Sequence, residues 1–116
     1  MANNIAFQPM GKTVRIRTAA GTPNNLTISA DSPSNQYRLA NHDAQPVYVL
    51  ISPSASPANA AVPTSNGAGA AYSIVVPPTS VTIITGPQSS SSLSVVVSAI
   101  AETGTPDVYV TPGEGL

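Results

Sequence analysis

The sequence predicts an all-β fold: a two-sheet sandwich, jelly-roll-like, of about eight short antiparallel strands. Three observations lead there. Twelve prolines are spread along the 116 residues, at 9, 23, 33, 46, 53, 57, 63, 77, 78, 87, 106 and 112, and each costs about 3 kcal/mol inside a helix. The longest proline-free window, Gln88 to Thr105, contains Ser89-Ser90-Ser91-Ser92 and then Leu93-Ser94-Val95-Val96-Val97-Ser98. Serine and β-branched residues form helices poorly, and the β-branched ones suit strands. Elsewhere, apolar and polar residues alternate over short stretches bounded by turn residues.

The elements follow in order. Residues 1–11 read as an N-terminal arm, ahead of a single sandwich domain over 12–116. Lys12–Thr18 places Val14 and Ile16 on one face, with Arg15 and Arg17 on the other. Asn25–Ala30 turns Leu26, Ile28 and Ala30 inward. The cluster Asp31-Ser32-Pro33-Ser34-Asn35 is a turn. Gln36–Asn41 turns Tyr37 and Leu39 inward, and Asn41–Pro46 reads as a hairpin loop. Pro46–Ser52 is apolar on both faces, as expected of a central strand covered on both sides. Tyr72–Val76 and Ser80–Thr85 flank a Pro77-Pro78 turn, and Gly86-Pro87 reads as a break. Ser92–Ala101 is a long strand, and Glu102–Pro106 joins it to Asp107–Thr111, which puts Val108 and Val110 on one face. Pro112 and the glycines after it are expected to stop that strand. Between strands, 53–71 is a long loop without charge or strand pattern. Loops above about 12–15 residues are uncommon in compact domains. It reads either as a surface loop or as a segment ordered by a neighbouring subunit.

Composition narrows the function. Charged residues are 8% of the chain, the formal net charge is −1, and there is one His and no Cys; an average soluble domain is about 25% charged. So weak a charge disfavours electrostatic capture of nucleic acid or an anionic membrane. No run of about 18 apolar residues is present. The start, Met1-Ala2-Asn3-Asn4, lacks the basic and apolar regions of a signal peptide, so none is expected. Catalysis by acid and base needs titratable groups gathered in a pocket. The only adjacent pair is His42-Asp43, in an expected loop, and no Gly-x-Ser-x-Gly elbow marks a serine nucleophile. One His and five scattered carboxylates do not suggest a metal site. No phosphate-cradling glycine loop is present either. The expectation is therefore a non-enzymatic protein without a cofactor.

Two features suggest contact surfaces. Arg15 and Arg17 share a strand face that begins at Lys12. They either guard a solvated sheet edge or form a small positive patch for an acidic protein surface. In the arm, Ile5, Phe7 and Met10 are apolar, and Phe7 is the only phenylalanine. It either closes this domain's own core or anchors a neighbouring subunit.

The segments Gln36–Asn41 followed by Val47-Tyr48-Val49, then Ser94–Ala101, then Thr103–Gly115 resemble small accessory proteins of tailed-bacteriophage heads. The likeness spans roughly the C-terminal two-thirds of the chain and lies in composition-like motifs. It implies a head decoration or cement protein: a β-sandwich or jelly-roll module, assembled as homodimers or homotrimers. Such a module sits on the capsid exterior, bridging major capsid subunits, and passes through the host cytoplasm during assembly. Ile5, Phe7, Met10, Arg15 and Arg17 are then the candidate capsid or subunit contacts. Two other classes remain. A receptor- or carbohydrate-binding module of a phage fibre or tail would want exposed aromatic platforms, and the chain has four Tyr and no Trp. An enzyme on a jelly-roll scaffold would need the catalytic cluster that the ionisable residues do not supply.

Overall fold

The structure, a computed structural model, describes residues 7–63 and 73–114. Among them nine strands form: β1 (Gln8–Pro9), β2 (Val14–Arg17), β3 (Asn24–Ser29), β4 (Ser34–Asn41), β5 (Val47–Pro53), β6 (Ile74–Val76), β7 (Ser80–Ser89), β8 (Ser94–Ala101) and β9 (Asp107–Glu114). No helix forms among the described residues.

The strands make two antiparallel sheets. Sheet one runs β2-β9-β4-β7, with the two-residue β1 pairing the far end of β9; sheet two runs β3-β8-β5-β6. From β2 onward every connection crosses between the sheets, except β5 to β6. This interleaved order of eight strands is that of a jelly roll; the proline count and alternation predict the all-β two-sheet class, and the pairing fixes the order. Consequently Asn41–Pro46 is no hairpin loop. It carries the chain from β4 in sheet one to β5 in sheet two. The Pro77-Pro78 turn likewise joins strands in different sheets.

The core lies between the sheets. Ile16, Tyr37, Leu39, Val108 and Val110 come from sheet one; Ile28, Val47, Val49, Ile51, Val76, Val95, Val97 and Ala99 come from sheet two. Fully burying one such aliphatic side chain contributes about 1.5–3 kcal/mol. Leu26 departs from expectation: it is 38% exposed. It faces the sheet interior by register, opposite Val97, but β3 is an edge strand and its rim is open to water. At the other end of the core, the buried Asn41 amide donates to the carbonyls of Gln45, Val76 and Pro77, and its oxygen accepts the Asp43 N–H. One polar side chain thus ties the ends of β4 and β6 to the crossing loop, with its own bonding capacity used.

Three boundaries also differ. β7 does not break at Gly86-Pro87 but runs on to Ser89, with a register shift between Ser34 and Gln36 of β4. An edge strand admits proline and an irregularity where a central strand would not. β9 does not stop at Pro112 but continues to Glu114. Pro112 falls between the stretch paired to β2 (107–110) and the stretch paired to β1 (113–114), so it sits where the ladder is already interrupted. The described part of the arm, residues 7–11, is bound into the sheet: β1 pairs with β9, Met10 N–H donates to the Pro112 carbonyl (2.9 Å), and Asp31 N–H donates to the Met10 carbonyl (2.7 Å).

The long loop is partly structured too. Residues 54–61 lie across the outer face of sheet two. Ala58 N–H donates to the Ser52 hydroxyl (3.0 Å), Asn25 donates to the Asn59 side-chain oxygen (2.8 Å), and Ala60 N–H donates to the Ser98 hydroxyl (2.8 Å). Ser52, Asn25 and Ser98 sit on three neighbouring strands, so this segment is a strap over the sheet. The rest of the expected loop, 64–71, lies outside the described residues.

Candidate functional site

Six described titratable side chains, Arg15, Arg17, His42, Asp43, Asp107 and Tyr109, converge at one place, the β2 edge of sheet one. The register sets Arg15 opposite Tyr109 and Arg17 opposite Asp107. Alternation then puts all four on the outer face, because Val108 and Val110 between them point into the core. Both guanidinium groups close on one carboxylate. Arg15 donates from Nε (3.0 Å) and an Nη (2.6 Å) to Asp107 Oδ2. Arg17 donates from Nε to Oδ1 (3.2 Å) and from an Nη to Oδ2 (3.4 Å). The Asp107 side chain is 10% exposed, while those of Arg15 and Arg17 are 56% and 66% exposed.

The crossing loop completes the cluster. Asp43 Oδ2 accepts the Asp107 N–H (2.7 Å). The His42 ring lies 5.4 Å from the Tyr109 ring, tilted by 59°. Arg15 Cζ stands 5.7 Å from the Tyr109 ring centre, within cation–π reach. Tyr109 therefore has both a guanidinium and an imidazole as neighbours. Burial pushes the Asp107 carboxyl upward, but the hydrogen bonds from Arg15 and Arg17 outweigh it and hold the group below the usual carboxylate range. The hydrogen bond and charge of Asp107 raise Arg15 in turn.

Each arginine spends two of its five N–H donors on Asp107 and keeps the others for water or a partner. The cluster carries two cations and, with Asp107 and Asp43, two anions. It is a neutralised ionic knot with an aromatic centre rather than a positive patch. The Asp43 carboxylate is engaged with the Asp107 backbone, and His42 with Tyr109. Among the described residues no three His, Cys, Asp or Glu side chains come together as metal ligands. No described helix is long and apolar enough to cross a membrane.

The expected contact residues separate into two groups along β9. Arg15 and Arg17 stand beside 107–109, and the described part of the arm stands beside 112–114, about 16 Å further along at 3.3 Å per residue. Phe7 is half-buried. Its ring lies against Gly113, where a Cβ would overlap both that ring and the Gln8 carbonyl. Met10 is half-buried as well. Ile5 lies outside the described residues. Sequence reasoning missed Asp107 and Tyr109, and it noted His42-Asp43 only as an adjacent pair in a loop. Alternation within Asp107–Thr111 puts Asp107 and Tyr109 on one face, but nothing local says that β9 pairs with β2. Comparison with family models, curated proteins and solved structures finds no match to this chain.

Proposed function

We propose that the chain is a non-enzymatic virion structural protein that binds the outside of an assembled phage capsid and stabilises it. One observation carries the reading. The strands interleave in the order of a jelly roll, an architecture used in viral shells, and the described titratable cluster is turned onto itself through Asp107. Such a surface acts through shape and contact area. A ligand that binds the assembled lattice and not its free subunits favours the assembled state by mass action. Each copy need contribute only a few kcal/mol, because many act on one shell. The major capsid protein is the partner on this reading, with contacts from the Phe7–Met10 segment and the exposed faces of Arg15 and Arg17.

The test is co-sedimentation of the purified protein with expanded capsids, followed by challenge with heat or chelator. Binding with raised resistance supports the proposal, and absence of binding refutes it. A second reading, a receptor- or carbohydrate-binding module, is favoured by Tyr109 lying beside Arg15 and His42. An aromatic ring beside hydrogen-bonding side chains suits a sugar. Glycan-array binding abolished by Tyr109→Ala, with no capsid binding, would select it.

A further inference from the structure

Charge is distributed unevenly over this fold. Between Asp43 and Glu102 the chain contains no Asp, Glu, Lys or Arg. That stretch supplies β5, β6, β7 and β8, and β3 is uncharged as well. All formal charge thus belongs to β2, β4, β9 and the loops, while sheet two and the β7 edge carry none.

Edge strands are where this matters, since each exposes a row of unpaired N–H and C=O groups, and proteins usually guard such rows with charge. The β2 edge is guarded by Lys12, Arg15 and Arg17. The β3 edge is held at its start by side chains: Asn24 donates to the Arg17 carbonyl and Asn25 to Asn59. β6 has three residues. β7 has ten, pairs among the described residues only with β4, and carries no charge. Its outer-face Val81 is 47% exposed, and the neighbouring Ile74 and Val75 of β6 are 43% and 47% exposed. Pro87 lacks an N–H, which leaves Ser80–Gly86 as the stretch able to pair.

We infer that this stretch joins two copies of the chain by antiparallel β7–β7 pairing about a two-fold axis. Two-fold antiparallel pairing is self-complementary: each strand offers the other the same row of groups. It requires an edge that does not set like charges opposite one another. Of the two ends of sheet one, β7 meets that condition, whereas β2 carries Arg15 and Arg17, both already engaged with Asp107, and follows Lys12. Sheet one then continues through both copies, with Val81 and Ile83 shielded beside their counterparts. The pairing goes beyond capsid binding and does not depend on it.

Sedimentation velocity on the full chain, from micromolar to millimolar concentration, tests this. The expected result is a reversible dimer. Val81→Lys combined with Thr85→Lys, both at exposed positions, is expected to weaken it at least about tenfold, about 1.4 kcal/mol, with an unchanged circular dichroism spectrum. Leu26→Lys on the β3 edge is expected to leave it intact. In hydrogen exchange, amides of 81–85 in the unmodified chain are expected to gain protection as concentration rises. A chain that stays monomeric throughout, a trimer, or a dimer broken by Leu26→Lys and not by the β7 lysines would overturn the inference.

Discussion

Tyr37 shows how a single residue fixes an irregular piece of backbone. Its ring is fully buried and lies under Gly86. Its hydroxyl reaches the Pro87 carbonyl and the Ser89 hydroxyl, which lies 3.1 Å away. The β7 irregularity is therefore held from within the core, and burial raises the phenol above its ordinary range against the opposing bond to Ser89. Tyr37→Phe keeps the ring and orphans these buried partners, so denaturant unfolding should show a loss of about 1–3 kcal/mol. Asp107 makes a pH-dependent contribution. Its folded pKa lies below the ordinary value, so its stabilisation is complete above about pH 3.9, the unfolded reference. It is lost as pH falls through the lower folded value. Stability measured against pH should therefore fall on the acid side more steeply in the unmodified protein than in Asp107→Asn. Tyr37 was legible as an inward residue from alternation alone. Asp107 was not legible as a partner of Arg15 and Arg17, because residues about 90 apart in sequence meet only through the β2–β9 register.

At the scale of elements, proline and alternation placed most strands, and their limits were physical. The local signals at Gly86-Pro87 and Pro112 describe backbone preference, and tertiary pairing overrides preference in strands. β7 and β9 accordingly run through both. Leu26 fails for the converse reason: inward by period, it sits at a rim where no strand covers it. The strap was the least legible element. Its sequence reads as loop, and the outward hydroxyls of Ser52 and Ser98 and the side chain of Asn25, with the Ser73 hydroxyl and the Ser94 carbonyl, give it a seat. Ser52 and Ser98 thereby explain an otherwise odd choice, a buried hydroxyl on each of two interior strands. Ser98 is fully buried, so Ser98→Ala leaves the Ala60 N–H without its acceptor. A destabilisation of about 1–3 kcal/mol is expected, together with faster amide exchange at Ala60.

The whole molecule divides into a charged side and an uncharged one. β2, β4, β9 and the loops carry the ionic groups, and the Arg15–Arg17–Asp107 knot gathers three of them. Sheet two and β7 present uncharged side chains, polar, aliphatic and the aromatic Tyr48. Low net charge and few ionic groups favour association over solubility, which suits a component that works in an assembly. The composition made this legible before any topology was known; the interleaved strand order adds an architecture suited to shells, and the self-paired knot leaves binding by area as the proposed role. The most direct measurement is an electron cryomicroscopy reconstruction of expanded capsids incubated with the purified protein. Ordered density of jelly-roll shape on the outer surface, bridging neighbouring capsid subunits, is the predicted result. Bare shells, or density confined to a tail fibre, would contradict it.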